Sequence, residues 1–365
     1  MRKYKKSILI IGPFPEPIHG MSLANEKLFT NLQNDKVAVS RFDTKLSKVI
    51  KKKSTQGKMS FTSFIASIIQ AIKLLLLILL KRPCVLYITP PQSSLGFLRF
   101  LPVYILGKVI SKKVLVHIHG SKLASNINSS SFIIRKLFKL AVCFIDKFIF
   151  LGDSISRKHQ QVIGMDKHSI VANGVEIPDM KYLAEKFAAE GETNILFLSN
   201  LMKDKGIIDF LDSLKDERMN SFIFHIAGAI EPDLEGEIDI RLKKLGSHVI
   251  YYGLVSGKEK HDLLLNADIF VLPTYDEGQP LSILEAYSYG CAVVTTCVGG
   301  IPDIFTDRVN GVYCEVASPE SIVNSILSLK DFHIRKEIAV NNYQLCTKNY
   351  SDDSFISNLK LLFIS

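Results

Sequence analysis

The sequence predicts an α/β chain built from two doubly wound parallel sheets. Three observations carry that prediction. At 365 residues the chain is too long for one ordinary core. Short runs rich in Ile, Val, Leu and Phe alternate with longer helical stretches, a β-α-β pattern that implies a parallel sheet with helices on both faces. The pattern stops at a turn-rich stretch and then starts again.

The first series of strands is read at Ser7–Gly12, Val37–Phe42, Val85–Thr89, Val114–His117, Lys147–Leu151 and Ile170–Ala172. Their apolar runs lack alternation, as strands buried on both faces do. Asn173–Pro178 is the turn-rich break. The second series is read at Asn194–Ser199, Phe222–Ala227, Val249–Tyr252, Ile269–Leu272, Ala292–Thr295 and Gly311–Tyr313. Residues 1–175 form one domain, 176–191 a linker carrying the polar helical run Lys181–Glu190, and 192–345 the second domain. A last helix, about 350–365, is assigned back to the first domain. Ligands of such sheets bind outside the carboxyl ends of the strands, so chemistry is expected in a cleft between the two.

Composition narrows the class. With 47% hydrophobic and 22% charged residues the chain is globular. The six cysteines form no C-x-x-C pair, which leaves a zinc site little support and fits reduced thiols in a cytoplasm. Met1–Lys6 is basic, but Ser7–Ile11 is too short for a signal-peptide core. The net charge of +9 hides a split. Residues 1–175 hold 28 Lys and Arg against 7 Asp and Glu, while the remainder holds 17 against 29. From Thr44 to Ile145 there are 17 basic residues and no acidic one. Such a face suits an anionic membrane leaflet or a nucleic acid. Aromatic residues are not clustered as in a nucleic-acid module, so no nucleic acid is expected. Phe64–Leu80 is nearly all apolar, yet Lys73 and Gln70 interrupt it and 17 residues fall short of a span. A buried or half-buried helix is expected there. Phe132–Phe144 mixes Phe, Ile and Leu with Arg135, Lys136 and Lys139. It fits an interfacial helix as well as it fits an ordinary amphipathic one.

The chemistry is sought after the late strands. A buried strand ends at Pro273, and a polar loop then carries Glu277. Pro280 is placed to open a helix and Gly290 to close it. The free amides near Leu281–Ile283 would then offer an anion site large enough for a diphosphate. Glu277 and Glu285 flank that helix start. Beside a diphosphate two carboxylates repel, so they serve better as acceptors for sugar hydroxyls. Spacing alone leaves open two surface acids that merely favour the first helical turns. In Leu198–Gly206 a strand gives way to a helix, and Lys205 would offer a cation toward the same place.

The segment Glu277–Glu285 resembles the E-x7-E signature of glycosyltransferase family 4, the retaining "group 1" transferases with the GT-B fold of two Rossmann-like domains. Gly290–Asp303 resembles that family's following strand and Gly-Gly loop, and the likeness runs in register from Asn194 to about Gly311. The resemblance implies that Glu277 binds hydroxyls of the transferred sugar and Glu285 the nucleotide ribose. Leu281 and Ser282 would give backbone amides to the phosphates, and Val255 would lie at the base. The family usually carries Arg-x4-Lys around the loop after the first of these strands. Lys205 matches the Lys, Asn200 stands where Arg is expected, and Lys203 is the candidate to compensate. In the first domain the loop Gly12–Gly20 follows the first strand, and His19-Gly20 stands where the family often has Gly-Gly. Gly20 allows close backbone approach to a phosphate; His19 could touch a ligand or cap the turn. His117 and His119 end the fourth strand on one side by alternation. The family's His-Gly pair lies beside the reacting sugar, so His119 is assigned there, with His117 the runner-up.

The expected activity is transfer of a hexose-type sugar, with retention, from a nucleotide diphosphate-sugar (UDP before GDP). The acceptor is expected to be a saccharide, lipid-linked, in cell-surface polysaccharide synthesis. The resemblance implies front-face attack in which the departing phosphate helps to take the acceptor proton. His119, Glu277 and Lys205 are the expected catalytic residues. No Asp-x-Asp occurs in the sequence, and neither a metal nor another cofactor is expected. The expected place is cytoplasmic, peripheral on the inner face of the membrane. Two rivals are a sugar-nucleotide epimerase of the same fold and a non-catalytic membrane-surface binding protein.

Overall fold

The computed structural model describes residues 7–16, 20–35, 37–45, 61–187 and 191–364. By their contacts the residues divide into two compact units, Met1–Val171 with Ile356–Ser365, and Ala172–Phe355.

The first unit runs β1 (Ser7–Gly12), α1 (Gly20–Asn34), β2 (Ala38–Asp43), α2 (Phe61–Lys81), β3 (Val85–Ile88), α3 (Ser94–Leu98) and α4 (Leu101–Ile110). It continues with β4 (Lys113–Ile118), α5 (Leu123–Asn128), α6 (Phe132–Cys143), β5 (Lys147–Phe150), α7 (Asp153–His159) and β6 (His168–Ile170). The sheet is parallel, in the order β2-β1-β3-β4-β5-β6. Strand order therefore reverses between β1 and β3. On one face Leu9, Ile11, Leu86, Ile88, Val114, Val116, Phe148 and Phe150 join Leu74 and Ile78 of α2, Tyr104 of α4 and Phe138 of α6 in one core. All three helices thus cover the same face.

Two strands differ from the sequence reading. The run expected to be buried on both faces at Val37–Phe42 forms β2, which no residue buries fully. It pairs with β1 alone, so one edge and much of its surface stay open. The strand expected at Ile170–Ala172 lies two residues earlier as β6, because register with Phe148–Phe150 selects polar His168 and Ser169 at the other sheet edge.

Helix α2 is half-buried. Ala66, Leu74 and Ile78 are buried at a spacing of four or eight residues, one stripe of a helix. Gln70 falls on that stripe, and its amide donates to the carbonyls of Asp43 and Lys45, at 3.2 and 3.1 Å. That explains a polar residue in an apolar run: it satisfies the backbone that trails β2. Among the described residues no helix is long and apolar enough to cross a membrane.

The second unit begins with α8 (Lys181–Lys186), β7 (Asn194–Leu198), α9 (Ile207–Ser213), β8 (Ile223–Ala227), α10 (Glu235–Leu242), β9 (Val249–Tyr251) and α11 (Gly257–Asn266). Then come β10 (Ile269–Leu272), α12 (Leu281–Ser288), β11 (Ala292–Thr296), β12 (Gly311–Cys314), α13 (Pro319–Ser328), α14 (Phe332–Asn349) and α15 (Asp352–Ile364). The parallel order β12-β11-β10-β7-β8-β9 reverses between β7 and β10. The segment 176–191, read as a linker, carries α8 within this unit. Leu183 and Phe187, an i, i+4 pair, pack with Ala339 of α14, a buried face that the polar run of the sequence conceals. From Ile356 on, which is most of α15, the chain belongs to the first unit. There Lys113 Nζ donates to the Leu362 carbonyl at 3.0 Å, Lys360 pairs with Asp35, and Phe363 meets Tyr87 edge to face.

The two faces of α2 give a direct test. Ile78→Ala is expected to lower stability by about 2–5 kcal/mol through cavity formation, and Leu76→Ala, on the exposed side, by under about 1 kcal/mol. Urea unfolding followed by circular dichroism measures both.

Candidate active site

In the second unit the loops that carry Lys205 and Glu277 leave β7 and β10, the two strands that flank the reversal of order. That is where doubly wound sheets open a crevice for ligands. The loop after β7 ends at Gly206, with φ +74°, where a Cβ would strike the Pro273 carbonyl of the β10 loop. Only glycine permits that approach and that dihedral together. The loops are then bonded across: Thr274 Oγ1 and the Tyr275 N–H both donate to the Asp204 carbonyl, at 2.8 and 2.9 Å. Tyr275 OH donates to Asp209 Oδ2 at 2.7 Å.

This interlock sets Lys205 against Glu277. Lys205 Nζ donates to Glu277 Oε1 as an ion pair, with side chains 24% and 12% exposed. The pair is partly desolvated and still open to a ligand. The backbone of Glu277 is fixed from its other side. Its carbonyl accepts from the Gly300 N–H at 3.0 Å, and Gly299, at φ +60°, lies so near that carbonyl that no side chain fits. The Gly299–Gly300 loop is thus a backbone clamp on Glu277.

Two residues farther on, Gln279 is buried. Its Oε1 accepts from the Asn173 N–H at 2.6 Å, and its carbonyl accepts from Asn173 Nδ2 at 3.2 Å. This sets the entry to α12. Pro280 is the N-cap of that helix rather than its first residue. The first helical bond runs from the Leu284 N–H to the Pro280 carbonyl at 3.4 Å. The amides of Leu281, Ser282 and Ile283 precede it, as the opening amides of a helix do. Glu285, one turn in, accepts from Lys260 Nζ of α11 at 2.6 Å. Both carboxylates of the signature are therefore held by lysines.

The other assigned residues occupy separate places. Asn200 is exposed, and its carbonyl accepts from the Met202 N–H at 2.9 Å. Lys203 is exposed in the short turn Lys203–Lys205. Val255 is buried between β9 and α11. In the first unit α1 starts at Gly20, which is exposed, while His19 lies outside the described residues. Gly12, at the end of β1, has no room for a Cβ beside Thr89 and Asn25. Asn25 Nδ2 donates to Thr89 Oγ1 at 2.8 Å and to the Pro13 carbonyl at 2.9 Å, tying α1 to β3 and to the loop after β1.

His117 and His119 do share a side of β4: their rings stand 4.1 Å apart, His117 fully buried and His119 half-buried. His117 Nδ1 shares a 2.5 Å hydrogen bond with Tyr87 OH. Burial first, and then His119, holds the His117 pKa well below its usual value, so the ring is neutral. Burial raises the Tyr87 hydroxyl, which keeps its proton. His117 is thus a buried support, and His119 the more accessible ring. Among the described residues no group of three or more His, Cys, Asp or Glu is placed to hold a metal ion.

Sequence reading missed Lys260, Gln279 and Asn173. The Lys260–Glu285 pair spans 25 positions and two helices, so no local pattern marks it. Gln279 lay inside the quoted signature, but its partner is 106 positions away.

Two parallel sheets, each with its loops at a reversal of strand order, define the GT-B fold class of glycosyltransferases. Residues 180–344 match the family described as "Glycosyl transferases group 1". A curated relative is N,N'-diacetylbacillosaminyl-diphospho-undecaprenol alpha-1,3-N-acetylgalactosaminyltransferase of Campylobacter jejuni. It is 29% identical over 236 residues, 60% of each chain. Two further curated relatives are matched over 47% and 43% of their length. Among solved structures, a sucrose-phosphate synthase from Thermosynechococcus elongatus superposes with a TM-score of 0.77 at 13% identity, covering 99% of this chain and 98% of that one. Anabaena HepE in complex with UDP superposes with 0.73 at 14% identity, covering 98% and 99%. At these identities the superpositions establish the fold.

Two outcomes are expected. Gly299→Ala places a Cβ against the Glu277 carbonyl at positive φ, a cost of about 1–3 kcal/mol, read by urea unfolding. Acid should also destabilise the protein. Burial lowers His117, His159 and His225 from 6.5 in the folded state. Below about 6.5 the unfolded chain then binds more protons, so stability is full above that pH and falls as pH drops. Thermal melting between pH 7.5 and pH 5 should show a declining midpoint.

Proposed function

We propose that the protein is a retaining glycosyltransferase. It moves a hexose-type sugar from a UDP-sugar to a lipid-linked saccharide at the anionic inner surface of the membrane, in cell-surface polysaccharide synthesis. The observation that carries the reading is the Lys205–Glu277 pair at the strand-order reversal, with Glu277 on the loop that leads into α12. A cation and a helix start suit a diphosphate, while a carboxylate suits sugar hydroxyls. The printed name of the Campylobacter jejuni relative supports an undecaprenol-diphosphate acceptor. The HepE complex supports UDP.

In this mechanism the acceptor hydroxyl attacks the anomeric carbon from the face of the leaving group. The carbon–oxygen bond to the acceptor forms as the bond to the diphosphate breaks. The acceptor proton passes to the departing phosphate oxygen. Lys205 and the amides of Leu281 and Ser282 offset the charge that grows there. Lys203 supplies the second cation, in place of the arginine absent at Asn200. Glu277 holds sugar hydroxyls, Glu285 the ribose and Val255 the base. Gly20 admits a phosphate close to the backbone, and His119 donates to the sugar. The protein acts by positioning and charge stabilisation, and no metal or cofactor is required.

A screen of sugar nucleotides for donor hydrolysis and transfer tests the reading. Lys205→Ala and Glu277→Gln are each expected to lower kcat/KM by about 10²-fold or more, with circular dichroism unchanged. Glu285→Gln should act mainly on the donor KM. Conversion of a sugar nucleotide to its epimer without any acceptor would overturn the proposal in favour of an isomerase.

A further inference from the structure

Helix α2 is apolar on both sides. Its inner stripe of Ala66, Leu74 and Ile78 is buried in the first unit's core. Its outer side carries Ile72 and Leu76, each about half exposed, and Leu80 at 81% exposure. A helix that is hydrophobic all round is normally covered all round. The neighbouring helices repeat the pattern. Helix α4 packs beside α2, and α6 beside α4. Val109 of α4 is 79% exposed, and Phe132 and Ile133 of α6 are 64% and 69% exposed. Because α2, α4 and α6 cover one face of one sheet, these side chains project from a single helical layer. Soluble surfaces rarely gather so many large apolar groups without a use.

The charge around this layer selects the occupant. Lys73, Lys136 and Lys139 are exposed among the apolar side chains, and Lys136 lies over the Phe132 ring at 4.8 Å. No Asp or Glu occurs anywhere from Thr44 to Ile145. The partner must therefore be apolar in depth and anionic at its surface. A second copy of this chain fails on charge, since a twofold contact sets the same basic rim against itself. A nucleic acid fails on chemistry, since of the six apolar groups named here only Phe132 is aromatic.

We propose that the outer face of the α2–α4–α6 layer is the seat of the protein on an anionic lipid leaflet. The apolar side chains enter the boundary of the acyl region and the lysines contact headgroup phosphates. The helices lie along the surface and do not cross it. The proposal deepens the reading of a membrane-borne acceptor, and it assigns the contact to particular side chains.

The test is flotation of the full chain with vesicles of phosphatidylglycerol and phosphatidylcholine, against pure phosphatidylcholine, at low and high salt. The wild type should float with the anionic vesicles and lose much of that binding in high salt. The Ile72→Glu/Leu76→Glu and Phe132→Glu/Ile133→Glu variants should each bind at least about tenfold more weakly, since each new carboxylate opposes both insertion and the anionic surface. Lys136→Glu/Lys139→Glu, which leaves all apolar packing in place, should weaken binding similarly. Melting and UDP calorimetry on the same samples separate this proposal from the donor reading. Loss of vesicle binding with UDP binding intact supports the surface, and vesicle binding by a chain that ignores UDP supports the surface while sinking the donor site. Wild-type protein that stays with the buffer at low salt, or variants that float as well as wild type, would overturn it. So would light scattering that shows a wild-type dimer split by the same substitutions.

Discussion

Two loops of the second unit hold each other through backbone atoms and the buried Thr274 hydroxyl, and the candidate site depends on that hold. The Asp204 carbonyl accepts from both Thr274 and Tyr275, while Gly206 lets the chain pass against the Pro273 carbonyl. Neither contact uses a side chain that a ligand could reach. The parallel sheet brings the ends of β7 and β10 together, and the interlock turns that coincidence into a fixed distance between Lys205 and Glu277. A second backbone clamp, from Gly299 and Gly300, removes the remaining freedom of Glu277. Lys205 and Glu277 are thus carried on loops, yet both loops are tied by backbone contacts. On the proposed reading such support serves electrostatic stabilisation of a short-lived charge, since reorientation during the reaction would cost what the site supplies.

The sheets were legible because parallel strands are buried on both faces, which writes them as apolar runs. Ser7–Gly12 and Ile269–Leu272 fall where the runs do. Legibility failed at the edges, where that physics no longer holds. β2 is half exposed, and β6 is set by pairing with β5 and not by hydrophobicity. In the site, Glu277, Glu285 and Lys205 could be marked by their place after strands and by resemblance. Lys260 and the Gln279–Asn173 bonds could not, since they depend on which loops the fold brings together. His117 illustrates the middle case: alternation put it beside His119, but only packing reveals that Tyr87 and burial hold it neutral.

The same contrast separates the two units. The second is acidic, bears the group 1 glycosyl transferase match, and carries its candidate site residues at the strand ends. The first is basic, and most of its unusual surface lies on the helical layer that covers one face of its sheet. On the proposed reading this division follows from the two substrates. A soluble nucleotide asks for a polar, well-defined pocket, whereas an acceptor anchored in lipid asks that the enzyme come to it.

The ion pairs seen at Glu277 and Glu285 bear on turnover as well as on binding. Lys205 and Lys260 are each paired with a carboxylate of the same chain. On the proposed reading, a diphosphate that enters competes with Glu277 for Lys205, and the sugar compensates by engaging the carboxylate that is released. Once the sugar has left, that compensation is gone and Glu277 can reclaim its lysine. The pair would then act as a spring that helps expel the spent nucleotide. A chain stripped of this carboxylate would keep its cation free and hold the product longer, so product inhibition, and not only slow chemistry, would mark its loss.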